Sequence, residues 1–223
     1  MKQLYIVGDG KIAEIAYESF VDSGDFEIVA FAVEKAFRQV ESKFGLPVID
    51  LESLISQGAE GAVVFVAIGY QECNMVRRRI FEELKSAGFK FANFVSEKAA
   101  VPRNFIAKDN TFVQAFVTVQ TGAVVGEDVF LFSGCTVGHH SEVKSHSWFA
   151  SGATVGGGSS VGEMSFLGLN AGVGHNVSVS KRCFIGAGAL VLKDLASGSV
   201  VIEKESEKIR LDVDRFLKFT DME

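Results

Sequence analysis

The chain has no apolar segment long enough to cross a bilayer, and its opening residues, MKQLYIVGDG, run directly into a strand and a glycine turn. Neither a membrane span nor a secretory signal is therefore expected. Basic residues form no run longer than Arg77-Arg78-Arg79, and the net charge is -6. That balance argues against nucleic acid or an anionic membrane surface as a general partner. Cysteine is scarce, with only Cys73, Cys135 and Cys183. An odd number of widely spaced thiols excludes a disulfide framework and points to reduced cysteines in a cytoplasmic protein. Histidine is limited to His139, His140, His146 and His175, so any imidazole chemistry draws on those four. Disorder has no support in the composition: 48% of the 223 residues are hydrophobic, enough for one or two packed domains.

What is present is a repeat. From Val113 every sixth residue is large and apolar: Val119, Val125, Leu131, Val137, Val143, Phe149, Val155, Val161, Leu167, Val173, Val179, Ile185 and Val191. With Val, Ile, Leu and Phe at roughly a third of the sequence, such a column arises by chance on the order of once in a million. Gly often follows the column residue, as at Gly126, Gly138, Gly156 and Gly174, and four places after it stand small residues such as Cys135, Ser141 and Ala153. A period of six is neither helical nor a strand alternation. It fits a three-sided coil of 18 residues, with the column inward, glycine at the corners and stability coming from stacked neighbours. About five coils at ~4.8 Å make a prism ~25 Å tall.

Upstream the pattern alternates strand and helix. Leu4 to Val7 is a strand, Gly8-Asp9-Gly10-Lys11 a glycine turn, and Ile12, Ile15, Ala16 and Phe20 one helical face. Glu27 to Val33 and Ala62 to Ile68 read as buried strands, Gln71 to Ala87 as a helix, and Phe89 to Val95 as a last strand. Alternation of this kind implies parallel pairing. Residues 1–97 are thus expected to form an α/β Rossmann-like domain, 98–197 a parallel β-helix and 198–223 a capping tail with Ile209, Val213, Phe216 and Leu217 on one helical face. The first glycine turn is a candidate anion site, because a helix N-terminus offers free N–H groups; a plain tight turn is the alternative. Glu34, at the end of the second strand, is placed for a ribose or base, or is a solvated loop acid.

His139 falls two places after Val137 and should project outward from a coil face, with His140 beside it. There an imidazole can accept a proton from an attacking amine or hydroxyl, or be an ordinary surface histidine. His175 lies 36 residues further on in the same column position, ~9.6 Å along the axis. That spacing excludes joint metal binding within one chain. A zinc shared across a subunit seam would need another histidine where Ser180 stands, so no metal is expected.

The motifs I-G-Y-x-x-x-N-x-x-R at Ile68 to Arg77 and S-G-x-x-V-G-H-H-S at Ser133 to Ser141, in a Rossmann-like domain joined to apolar hexads, resemble the sialic acid O-acetyltransferase-type family. That family includes N-acetyltransferases of UDP-, GDP- and dTDP-linked 4-amino sugars. The resemblance covers about residues 1–197. It implies a left-handed parallel β-helix and a homotrimer with acetyl-CoA along the groove between subunits, acting on a nucleotide-linked amino sugar for surface polysaccharide. His139 matches the general base and His140 its neighbour. Gly8, Asp9, Gly10, Lys11, Glu34, Gly69, Tyr70 and Phe132 fall on the substrate side. Trp148, Gly152, Gly168, Gly186, Ala187 and Lys193 fall on the CoA side, with coil corners as the other role for the glycines and packing for Phe132 and Trp148. Bacillosamine-type members carry an acid at the place of His140, Asn at Phe132 and His at Trp148, and these departures bear on the acceptor. A sugar O-acetyltransferase and a non-catalytic trimeric nucleotide-sugar-binding protein are the other readings.

Overall fold

The computed structural model describes residues 2–210 and 212–220. The first segment contains β1 (Lys2–Val7), α1 (Lys11–Ser23), β2 (Phe26–Val33), β3 (Ser42–Lys43), β4 (Leu46–Asp50), α2 (Leu51–Gln57), β5 (Ala62–Val66), α3 (Met75–Ser86) and β6 (Lys90–Phe91). They form one mixed sheet of order β3-β4-β2-β1-β5-β6, parallel except for the β3–β4 pair. β5, Ala62–Val66, is buried at every residue because both faces of the sheet are covered. Leu4, Ile6 and Phe65 pack with α1, whereas Val7, Val64 and Val66 pack with α2 and α3.

Two boundaries differ from the sequence expectation. The stretch Phe89 to Val95 is not one strand: Lys90–Phe91 pairs with β5, while Phe94–Val95 pairs with Phe112–Val113 and opens the β-helix. The chain therefore crosses between the two sheets at Ala92-Asn93, ahead of the boundary expected at residue 97. The helix expected from Gln71 begins instead at Met75, since Glu72, Cys73 and Asn74 all adopt positive φ.

From Phe94 to Val191 two-residue strands stack parallel at an offset of eighteen, as in Thr118, Thr136, Thr154, Gly172 and Leu190, and the final rung, Val200–Val201, pairs with Phe184–Ile185 at an offset of sixteen. Three sheets of seven, five and four strands make the faces. Six rises in the tallest face give ~29 Å, more than the five coils expected, because Phe94–Val95 and Val200–Val201 add rungs beyond the apolar column. The column from Val113 to Val191 is buried throughout. Small inward residues serve the corners: the hydroxyls of Ser141, Ser147 and Ser159 donate to the carbonyls of Gly156, Gly162 and Gly174.

Glycine has two separate tasks here, not the single corner role expected. The residue three places after the column turns the corner with positive φ, and Gly134 shares that task with His140 and Asn170. The glycine directly after the column lies where the next coil passes; a Cβ on Gly156 would come within 2.7 Å of the Gly174 carbonyl carbon.

One face of the prism carries an outward ladder of Phe94, Phe112, Phe130, Trp148, Phe166 and Phe184. Its inner rungs are buried against Phe20, Phe31 and Phe65, so sheet and β-helix share one core. Edge-to-face and tilted pairs such as Phe65–Phe130 at 5.7 Å interlock the two units. Beside the ladder, Arg77 and Asp128 are fully buried and paired, with Arg77 Nε 2.9 Å from Asp128 Oδ1. Asn110 and His146 also hydrogen-bond to Asp128, Asn74 accepts from Arg77, and the guanidinium lies 4.6 Å from the Phe130 ring centroid. Burial pushes the Arg77 pKa down and Asp128 opposes it. The C-terminal tail, expected to cap the last coil or dock on a neighbouring subunit, ends in α4 (Val213–Thr220), whose Val213 and Phe216 are exposed.

Replacing Arg77→Met strands a buried carboxylate and should cost about 3–5 kcal/mol, read as a lower urea midpoint; a loss below about 1 kcal/mol would show that Asp128 does not depend on it. The thiol of Cys135 is fully buried and desolvation pushes its pKa to about 12. At pH 8 its thiolate fraction is ~10⁻⁴, so iodoacetamide should label Cys135 in urea and not in the folded protein.

Candidate active site

A cleft of about 780 Å³ opens at the carboxyl ends of β1, β2 and β5. Strand order reverses there, β2 leaving β1 on one side and β5 on the other, which leaves a crevice unfilled by any crossover. Gly8, Asp9, Gly10, Lys11, Glu34, Gly69 and Tyr70 all line it. Gly8 has φ +116°, and a Cβ there would lie 2.9 Å from the Ala67 carbonyl oxygen, so no other residue fits the turn. Gly10 caps α1 with no side chain bonded to the first turn, and Lys11 and Ile12 of that turn line the cleft. Lys43 donates to the Asp9 carbonyl at 2.6 Å and pairs with Glu14, which fixes the turn.

Glu34 is not a free loop acid. Arg79 binds both its oxygens at 3.0 and 2.9 Å, and that hydrogen-bonded pairing holds the Arg79 pKa above its ordinary value. Tyr70 is 49% exposed on the cleft side, while its ring packs against Phe166 at 4.5 Å and Trp148 at 5.4 Å. It joins the cleft wall to the β-helix. Phe37, 66% exposed, also lines the cleft; the sequence offered no signal for it beyond its place after the second strand.

Phe132 and Trp148 lie elsewhere. Phe132 is half-buried against Trp148 at 4.6 Å, outside the cleft lining. Trp148 is 3% exposed and stacked on Phe130, so its ring belongs to the seam between the two units and offers no surface to CoA; the expected cofactor contact is corrected to packing.

The second feature is a corner of the β-helix. His139 and His140 are exposed, and His139 lines a shallow groove of about 480 Å³ with Val101, Thr118 and Gln120. The Gln120 carboxamide accepts the His139 backbone N–H at 2.9 Å, and the Gly158 N–H bonds to the His139 carbonyl. His140 takes the corner conformation, φ +57°, and its Nδ1 lies 3.3 Å from Nδ1 of His139. One proton between two facing nitrogens orients both rings, since one must donate and the other accept. His139 Cε1 and Nε2 lie over Gly157, one coil below, where a Cβ would sit 2.5 Å away. Sequence reasoning missed Gly157; its signal was the triple glycine Gly156-Gly157-Gly158 one coil after Gly138-His139-His140.

Of the residues expected to contact CoA, Ala187 and Lys193 are exposed, Gly152 is half-buried, and Gly168 and Gly186 are buried. Gly168 has a packing reason to be glycine, because a Cβ would lie 2.6 Å from the Ala187 nitrogen. Among the described residues no three His, Cys, Asp or Glu side chains are grouped to hold a metal ion, and no helix is long and apolar enough to cross a membrane.

No protein-family model matches this chain, and no curated protein matches it in sequence. Solved structures do match. A mutant perosamine N-acetyltransferase from Caulobacter crescentus, in complex with CoA and GDP-perosamine, is 26% identical with a TM-score of 0.78, over 89% of this chain and 92% of that one. The acetyltransferase domain of PglB from Neisseria gonorrhoeae, in complex with acetyl coenzyme A, is 26% identical with a TM-score of 0.80, over 89% and 95%. WeeI from Acinetobacter baumannii shares the fold at 17% identity, with a TM-score of 0.79 over 90% and 96%. The architecture is consistent with a left-handed β-helix acetyltransferase, and the chain with an enzyme of the acyltransferase class.

The neighbouring glycines should respond differently to alanine. In Gly156→Ala the new Cβ meets backbone, and overpacking should cost about 1–3 kcal/mol of stability. In Gly157→Ala it meets only the His139 ring, so the unfolding midpoint should hold while the ring is displaced and activity falls. Equal destabilisation of both variants would contradict this geometry.

Proposed function

We propose that the protein transfers an acetyl group from acetyl-CoA to the amine of a nucleotide-linked amino sugar in surface polysaccharide biosynthesis. The observation that carries this reading is the oriented His139–His140 pair at the β-helix corner, in a chain of which 89% aligns with a perosamine N-acetyltransferase solved with CoA and with an acetyltransferase domain solved with acetyl coenzyme A. The N-terminal sheet is read as a Rossmann-like domain, with its Gly8–Lys11 turn and the α1 N-terminus receiving the nucleotide phosphates and Glu34 near the ribose or base. His140 Nδ1 accepts from His139 Nδ1–H, which leaves His139 Nε2 as the base. The amine nitrogen attacks the thioester carbonyl, His139 removes its proton, the C–S bond breaks and CoA leaves as the thiolate. Ala187 and Lys193 are exposed donor contacts in this scheme. The active form is read as a homotrimer in the cytoplasm, with the donor in the groove between subunits and no metal required.

The test is thiol release from acetyl-CoA against UDP-, GDP- and dTDP-linked amino sugars, with His139→Asn alongside. One acceptor should give release, and the variant should lose ~10²–10⁴ in kcat. Light scattering should give three times the 24.0 kDa chain mass. A monomer would remove the intersubunit site. Release only with a hydroxyl acceptor would turn the assignment to sugar O-acetylation, and nucleotide-sugar binding with no release to a binding protein.

A further inference from the structure

Two aromatic side chains line the cleft, Phe37 and Tyr70. Tyr70 rests on Phe166 and Trp148, whereas Phe37 makes no ring contact among the described residues and is 66% exposed. A lone ring on an open surface needs no explanation; this one lines a cleft and stands on a braced segment. Phe37 closes a single 3-10 turn, Lys35–Phe37. The Lys35 backbone N–H donates to both Glu52 carboxylate oxygens at 3.2 and 3.1 Å, and the Phe37 N–H to the Glu34 carbonyl at 2.8 Å. Next along the chain, the Arg38 guanidinium binds Asp50 at 3.0 Å and also Glu41. A ring on a segment tied at both ends loses little backbone freedom when a ligand arrives. Its place in the cleft follows from the sheet. Phe37 follows β2, the Gly8–Lys11 turn follows β1, and Tyr70 follows β5, with β1 between the other two strands. A ligand whose phosphates sit at the central turn therefore has Phe37 to one side and Tyr70, against the β-helix, to the other.

We propose that Phe37 is the stacking platform for the nucleobase of the acceptor, so that the nucleoside half lies over the end of β2 and the sugar half lies toward Tyr70 and the β-helix. The inference rests on the reading of the cleft as a nucleotide-sugar site. A nucleotide-linked sugar has three parts with different needs. The diphosphate seeks N–H donors and positive charge, which the α1 N-terminus offers. The ribose hydroxyls seek an acceptor such as Glu34, at the end of β2 and three residues before Phe37. The base, on the far side of the ribose from the phosphates, is a flat π-system that stacks on an aromatic ring whichever base it is. Phe37 thus supplies affinity for the nucleoside without selecting among bases.

The experiment titrates UDP, GDP and dTDP, each with and without an attached amino sugar, into the native protein, Phe37→Ala, Phe37→Leu and Phe37→Trp by calorimetry. At least one sugar-free nucleotide should bind the native protein. Its Kd should rise about 10-fold in Phe37→Ala, the usual scale for one base stacked on one ring. Phe37→Leu keeps apolar bulk but no π-face and should weaken binding as alanine does, whereas Phe37→Trp should stay near the native value. Native affinity in Phe37→Ala or in Phe37→Leu overturns the stacking and leaves the reading of the cleft standing. A loss confined to the sugar-bearing nucleotides overturns it too, because the ring would then face the sugar. No binding of any of these nucleotides to the native protein overturns the reading of the cleft and this inference with it.

Discussion

Register at eighteen residues is the constraint on which everything else in this protein depends. Each coil buries its column residue against the coils above and below, so Leu131, Phe149, Leu167 and Ile185 must all face inward in line. Once they do, the preceding residue of every strand faces outward, and each corner position repeats vertically. Slipping a coil by one residue would turn its inward residues outward, and the one departure, the last rung at an offset of sixteen, is a shift of two that keeps Val201 against the core. The corner that presents His139 is thus held by its stacked neighbours, the turns at Gly122, Gly158 and Asn176, and not by the loop it sits on.

The same register creates the seam. One outward row is aromatic on every coil, and six stacked rings expose far more apolar surface than water tolerates. The sheet covers them with Phe20, Phe31 and Phe65, merging two units into one core. An apolar seam alone would allow the units to slide. Arg77 and Asp128 supply direction: two opposite charges buried without water are tolerable only when paired and hydrogen-bonded as they are here. Asn74 and Asn110 complete that bonding, tying α3 and β5 to particular coils, with Asn74 reaching the Ser165 carbonyl and Asn110 the Val66 backbone. The motif Asn74-x-x-Arg77, half of the resemblance that pointed to an activity, acts in this structure as the fastening between domains.

Function follows from where that fastening leaves the cleft. Tyr70 forms part of the cleft wall and part of the seam, so the glycine turn of β1 is held in a set orientation to the β-helix. The proposed division, binding in one unit and proton transfer in the other, requires a rigid angle between them, and a shared aromatic core with a buried ion pair gives that rigidity.

Much of this was determined by sequence alone. The hexad column dictated the coil, the inward residues and the outward projection of His139, which was expected on a face and stands at a corner, because in a strict repeat the direction of a side chain depends only on its place in the period. The glycine turn Gly8–Lys11 and the alternation of strands and helices likewise located the cleft residues. Tertiary structure decided what covers each outward face. Trp148 read as a candidate cofactor contact through the family resemblance, with packing as its other role, because the sheet that covers it was not legible in the sequence. Glu34 read as free because Arg79 stands 45 residues away. The His139 ring lies over Gly157, a glycine eighteen residues further along the chain. Period is a local property of a chain, but coverage, pairing and gaps arise between segments remote in sequence, and those only the docked fold could set.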